Sequence, residues 1–371
     1  YLQQQVDRLL PRLRRAVESG CALGGMMLKP YIQGDSIAVD FVRADQFYPV
    51  AFDGNGNISA CIFADQRQVR DKFYTRLEYH NMTPAGYTIR NMFFKSDSAS
   101  TLGQPAEAGD VAAWVGLQEQ AVISGVTRPL FGYFRYPAAN NVDPASPLGV
   151  SCYARAADLV QQADRQWSDL LWEFESGQRA LYADVIAFTK DKDGNVILPN
   201  RRLYRALNGS GNIGDAADGL FHDWSPSMRE QNYLNGLDAI LRKIEFTCGL
   251  AYGTLSNPAT VDKTATELKI SNQRSYSTIT DTQKALRYAL EDLLYAMDVW
   301  ATLGNLAPRG SYKAVYDFDD SIIVDKDTQF QQDMRLVTAG LMSKVEFRVR
   351  NFGEDEATAA AKIAQANADR P

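Results

Sequence analysis

The sequence predicts an α+β fold of 371 residues, and three observations carry that expectation. The first third alternates apolar and polar residues between Gly, Asp and Pro turns, as half-buried strands do. Two helical stretches of similar length, 151–176 and 225–248, then bracket a short β-patterned segment. A long helical run follows from Lys263 to Gly304, where Ile279, Leu286, Leu290, Leu293, Met297 and Trp300 recur at helical spacing on one stripe.

Residues 1–19 predict an amphipathic helix with Leu2, Val6, Leu9, Leu13 and Val17 on one side, bent or restarted at Pro11 and ended by Gly20. From Met26 to Asp65 the runs LKPYI, SIAVDFV, FYPVAF and ISACIF predict strands, with FDGNGN (52–57) as a hairpin turn. Lys72–Met82 and Gly86–Phe94 predict two longer strands, and Ala112–Ile123 and Leu130–Tyr136 two further ones. The three prolines in 137–150 mark a connection. In the first bracketing helix, Ala156, Val160, Ala163, Trp167, Leu170, Leu171 and Phe174 predict one apolar face, and Gly177 its stop. Asp158, Asp169, Glu173 and Glu175 predict an acidic face opposite. Ser225 and Pro226 predict the start of the second helix, Leu234, Leu237, Leu241, Ile244 and Cys248 its stripe, and Gly249 its stop.

The module 179–224 contains the strands YADVIAFT, VIL and RRLYRAL, a Gly-rich loop and LFHDW. It has too few strands to bury much core alone. Its Leu181, Val185, Ile186, Phe188, Leu203 and Tyr204 are therefore expected to pack partly against other subunits. Gly249–Asp262 reads as a loop or partly ordered linker. Thr264 and Glu267 stand at capping-box spacing for the long helix, which at 1.5 Å per residue is about 60 Å long. Ser, Thr and Asn crowd 271–282 and compete for helical hydrogen bonds, predicting a bend or break near Ser275 to Thr280. Beyond Gly304 a strand pair, 312–318 and 321–324, precedes helices at 327–338, 343–350 and 354–367.

At 45% hydrophobic and 23% charged, composition is that of a globular protein, and no run of about twenty apolar residues predicts a membrane span. The net charge of −6 argues against a surface that grips nucleic acid, though it permits one that lets nucleic acid slide past. Cys21, Cys61, Cys152 and Cys248 form no C-x-x-C pair, so a reduced setting is expected and no zinc site. The chain begins at Tyr1 without Met, so targeting signals could lie outside it.

Motifs for chemistry fail on context. Gly209-Ser210-Gly211-Asn212-Ile213-Gly214 matches a dinucleotide fingerprint, but Gly219 breaks the helix that would hold the pyrophosphate. Asp191, Asp193 and Asn195, like Asp53, Asn55 and Asn57, start as calcium loops do and lack the required Gly and Glu, leaving turns. His80 and His222 read as structural. No catalytic, cofactor or metal site is expected, and the chain is not expected to be an enzyme.

The chain resembles a phage portal protein, the ring joining head to tail, of the type in phages of Gram-positive hosts. The resemblance rests on VDFVRADQFYPVAFDGNGNI (39–58), PLGVSCYARAADLVQQAD (147–164) and above all KTATELKISNQRSYSTI (263–279), with the order of elements. It implies a wing at 1–150, stem helices at 151–178 and 225–248, a clip at 179–224, and a tunnel loop at 249–263. The wing would resume over 264–352 and a crown start at 353–371. It further implies a dodecameric ring passing double-stranded DNA, docking the terminase large subunit and head-completion or adaptor proteins, and meeting scaffold and major capsid protein. No membrane partner is implied; the location would be the virion portal vertex, and the host cytoplasm during assembly. Gly249, Tyr252, Asn257, Asp262 and Lys263 would belong to the tunnel loop, with Lys263 facing DNA. Asp158, Asp169 and Glu173 would line the channel. The rival readings are an enzyme with an unfamiliar site and another virion protein, either an adaptor or a minor capsid protein.

Overall fold

The computed structural model describes residues 1–84, 86–178, 180–184, 188–193, 195–198, 204–207, 221–224, 227–258, 265–308, 310–318 and 326–368. They form two compact units, Tyr1–Arg309 and Gly310–Pro371. Both helix and sheet are present, as an α+β fold requires.

The first unit opens with α1 (Leu2–Leu23), which runs through both Pro11 and Gly20. Gly20 is therefore not the stop. A Cβ there would sit 2.8 Å from the Phe134 ring, so the glycine admits that ring against the helix. The helix ends at Gly24, whose φ of 88° is the left-handed cap. Nine strands follow: β1 (Gly25–Gln33), β2 (Ser36–Arg43), β3 (Phe47–Phe52), β4 (Ile58–Val69), β5 (Lys72–Thr83), β6 (Gly86–Ser96), β7 (Gln104–Pro105), β8 (Gln120–Ile123) and β9 (Gly132–Arg135). They build one sheet in the order β2-β1-β9 and a second in the order β3-β4-β5-β6-β7, with β8 also on β6. All these pairings are antiparallel. The expected strand at 112–123 shrinks to β8, because 3-10 turns at Ala108–Asp110 and Ala112–Trp114 bury Trp114 beneath Phe93.

Next come α2 (Ala157–Ser176), β10 (Ala180–Asp184), β11 (Tyr204–Leu207), β12 (Phe221–Trp224), α3 (Glu230–Cys248) and α4 (Ala265–Leu303). The helix α4 has 39 residues and is unbroken, so the interruption expected near 275–280 does not occur. Its Leu286, Ala289, Leu293, Ala296 and Met297 are buried and seat it on β1 and β9. Contact is close enough that a Cβ on Gly132 would lie 2.2 Å from the Ala289 carbonyl oxygen. The second unit holds α5 (Lys326–Thr338), α6 (Lys344–Phe352) and α7 (Glu356–Ala368). Residues 312–318 carry no strand; the partner expected at 321–324 lies outside the described residues.

Between the two sheets lies a buried ion cluster. Lys29 Nζ donates to Glu78 at 2.6 Å, Arg76 donates to the same carboxylate at 2.8 Å, and His80 Nε2 meets its other oxygen at 2.9 Å. Burial drives Glu78 upward, yet Lys29, His80 and Arg76 outweigh it and hold the carboxyl well below its usual range. Burial pushes His80 down, so its ring is neutral: Nε2–H donates to Glu78 and Nδ1 accepts from the Tyr87 hydroxyl at 2.7 Å. Both groups thus have lowered folded-state pKa values. Their stabilisation holds above the ordinary values of 6.5 for His80 and 4.5 for Glu78, and is lost as pH falls below each. Lys29→Met should cost about 3 kcal/mol by leaving Glu78 short of its closest cation. Urea denaturation at pH 7 measures it, and the wild-type chain should lose stability in two steps on acidification.

Candidate functional site

The stretch most suggestive of function runs from α2 to the start of α4. The helices α2 and α3 are antiparallel neighbours. Gln166 donates to the Tyr233 carbonyl, and the end of α2 reaches the start of α3, where a Cβ on Gly177 would meet Met228 at 3.6 Å. The start of α3 is set by α2. Glu173 accepts from the Arg229 backbone N–H at 3.1 Å and from its guanidinium at 3.1 and 2.8 Å. Those bonds hold the Glu173 carboxyl below its usual range. The helix therefore begins at Glu230 rather than at Ser225, with Arg229 as its N-cap residue and Glu173 supplying the missing acceptor from the partner helix. Ser225 and Pro226 lie outside the described residues.

The faces of α2 differ from the sequence expectation. Ala156, Leu170 and Glu173 are buried, so Glu173 belongs to the packed face and not to a free acidic one. Val160, Trp167, Leu171 and Phe174, all on the apolar face that the periodicity marks, are 43–48% exposed. Asp158 and Asp169 are exposed and, eleven residues apart, stand on one edge of the helix. Among the calls on the β module, Val185, Ile186 and Leu203 lie outside the described residues. Leu181 pairs with Tyr204 across the parallel strands β10 and β11, and Phe188 meets the Tyr204 ring edge-on at 6.0 Å. Antiparallel β12 completes this three-stranded sheet. Asp191 accepts from the Asp193 and Asn195 N–H groups, so that calcium look-alike is a turn, as expected.

At the other end of α3, Gly249 closes the helix with a φ of 73°, and the chain enters a loop that is pinned rather than slack. Glu245 is 0% exposed. Its carboxylate accepts from the N–H groups of Gly253 (3.2 Å), Leu255 (2.6 Å) and Ser256 (2.8 Å), and from the Ser256 hydroxyl (2.9 Å). Burial favours the neutral acid, but the donors on Ser256, Leu255 and Gly253 prevail and hold the pKa below its usual value. Asp238 accepts from Asn257 N–H at 2.7 Å. From α4, Ser275 accepts from Ala251 N–H at 2.6 Å, and Thr278 donates to the Gly249 carbonyl at 3.0 Å. Arg274 lies over the rings of both Phe246 and Tyr252. Of the loop residues expected to meet DNA, Gly249, Tyr252 and Asn257 are thus engaged within the subunit. Asp262 and Lys263 lie outside the described residues.

Sequence reading missed Glu245, Arg229, Arg274, Ser275 and Thr278. The available signal was a carboxylate on the apolar stripe of α3, beside Ile244 and four residues before the stop at Gly249. Cys21, Cys152 and Cys248, distant in sequence, gather around Tyr136; burial, then the neighbouring Cys152, pushes Cys21 up to about 11. Among the described residues no group of side chains could hold a metal ion, and no helix is long and apolar enough to cross a membrane.

Glu245→Ala should strand the Leu255 and Ser256 backbone donors, Gly253 N–H keeping the Ser256 hydroxyl at 3.2 Å, and cost about 2–3 kcal/mol of local stability. Hydrogen exchange at Leu255 and Ser256 should rise by roughly 30- to 150-fold, while that of the β-sheets stays unchanged. In the wild-type chain the same anchoring holds above the carboxyl's ordinary 4.5 and weakens as pH falls below it.

A family model described as phage portal protein, SPP1 Gp6-like, matches residues 5–370. No curated protein matches the chain. With a match over nearly its whole length, the chain belongs to this family of phage portal proteins, structural components of the head-tail connector.

Proposed function

We propose that this chain is one subunit of a twelve-membered ring at a capsid vertex, whose central channel passes double-stranded DNA during packaging and ejection. The observation that carries this reading is the antiparallel α2–α3 pair, tipped at one end by the β10–β12 sheet and leading at the other into a loop held on α4. That is the form of a stalk with an exposed tip and a loop at its root. In this reading the β module is the tip on which the terminase large subunit docks during packaging. Head-completion or adaptor proteins replace it afterwards. The broad body of sheets faces scaffold and major capsid protein, and the ring resides in the virion after assembly in the host cytoplasm.

The loop from Gly249 to Lys263 is assigned to the channel. Its first ten residues are the mount, and Asp262 and Lys263 belong to the part that meets DNA. Asp158 and Asp169 are assigned to the channel wall, where unpaired carboxylates would keep phosphate contacts weak. An adaptor or minor capsid protein would have no use for a β module inserted between two stalk helices.

Negative-stain imaging of the purified chain should show rings with a central hole. Deleting 179–224 should leave a folded chain that assembles poorly, read by sedimentation; normal rings from that deletion would sink the assembly role of the module. Asp158→Lys with Asp169→Lys should leave rings intact while raising their affinity for duplex DNA. The slope of log affinity against log salt should steepen by roughly 1 to 2.

A further inference from the structure

The helix α2 carries two apolar stripes, and its own subunit uses one. Leu159, Ala163 and Leu170 face α3, whereas Trp167 and Leu171 remain 48% and 47% exposed. On α3, the exposed Phe246 (51%), Ala239 and Lys243 line a cleft of about 540 Å³ with Arg242 and Tyr252. Both patches are too apolar to be left to water without cause.

Their placement says what covers them. At about 100° per residue, the free stripe of α2 lies roughly 90° from the face packed on α3. On α3, the Ala239–Lys243–Phe246 edge lies roughly 120° from the face packed on α2, and in the same rotational sense by residue number once the reversal of chain direction is counted. Because the helices are antiparallel, the stripe and the cleft fall on opposite sides of the two-helix layer. Two different patches on opposite sides suit a head-to-tail contact, the kind that closes a ring; a two-fold dimer would need one self-complementary patch.

Charge points the same way. Asp164 and Glu175 flank the free stripe and form no ion pair with a described residue. The cleft side carries Lys243 and Arg274, both over the Phe246 ring. We propose that the stripe Val160–Trp167–Leu171–Phe174 of one copy docks on the α3 cleft around Phe246 of the next copy, acidic edge to basic edge. This rests on the ring reading and adds which surfaces of the stalk close the ring.

Leu171→Asp disables the stripe and leaves the cleft; Phe246→Asp does the reverse. Both positions are half exposed, so each variant should fold, as circular dichroism checks. Each alone should need roughly 100-fold more protein to form rings, since either removes an apolar anchor and puts a charged group where the contact excludes water. Mixed one to one below that concentration, the two should yield a discrete heterodimer and nothing larger, because one intact stripe meets one intact cleft. Rings from either variant at the wild-type concentration, or a mixture that stays monomeric, would overturn the stalk contact while wild-type rings keep the parent reading standing. A wild-type chain that never forms rings would fell the parent reading, and this contact with it.

Discussion

One carboxylate organises the C-terminal end of α3 and the loop that leaves it. Glu245 is sealed from solvent, where an ionised acid is costly, and it is tolerated there because four donors from a single stretch of chain converge on it. The same bonds that keep it charged give residues 253–256 a fixed path. Without them, the Leu255 and Ser256 N–H groups would need partners in a short segment that has no strand or helix of its own to supply them. The turn out of α3 and the entry of the following loop both follow from this one side chain.

Other polar contacts repeat the pattern on a smaller scale. Glu173 completes the start of α3 from the neighbouring helix, and Ser275 and Thr278 reach from α4 to the loop backbone. In each case a side chain on one helix satisfies an orphaned group at the end or edge of another. The α2–α3 pair is joined less by a broad apolar core than by these placed acceptors and donors. That is consistent with its having so few fully buried apolar residues, Leu170 and Ile244 among them.

Much of the body was legible in the sequence. Period-two runs located β1 to β6, and the three-four spacing of Leu286, Leu293 and Met297 located the buried face of α4. Where the reading failed, a residue's local preference was overridden by its tertiary partner. Gly20 looked like a stop and is a seat for Phe134. The Ser and Thr of 271–282 looked like helix breakers and instead bond the loop while the helix continues. The stripe of α2 was visible, but periodicity finds apolar faces without saying which neighbour covers them, so the half-exposed state of Trp167 and Leu171 was not legible. Glu245 left the faintest trace, because a lone acid on an apolar stripe usually means only a solvated edge.

The unbroken run of α4 joins two places that an interruption would have decoupled. One end is locked into the sheets by Leu293 and Met297; further along, Ser275 and Thr278 hold the loop. From 275 to 293 the helix spans about 27 Å, so a tilt of roughly 5° about its seat carries the loop mount sideways by about 2 Å. A continuous helix clamped at one end and loaded at the other is a lever, and strain felt by the sheets has a mechanical route to the chain that follows α3.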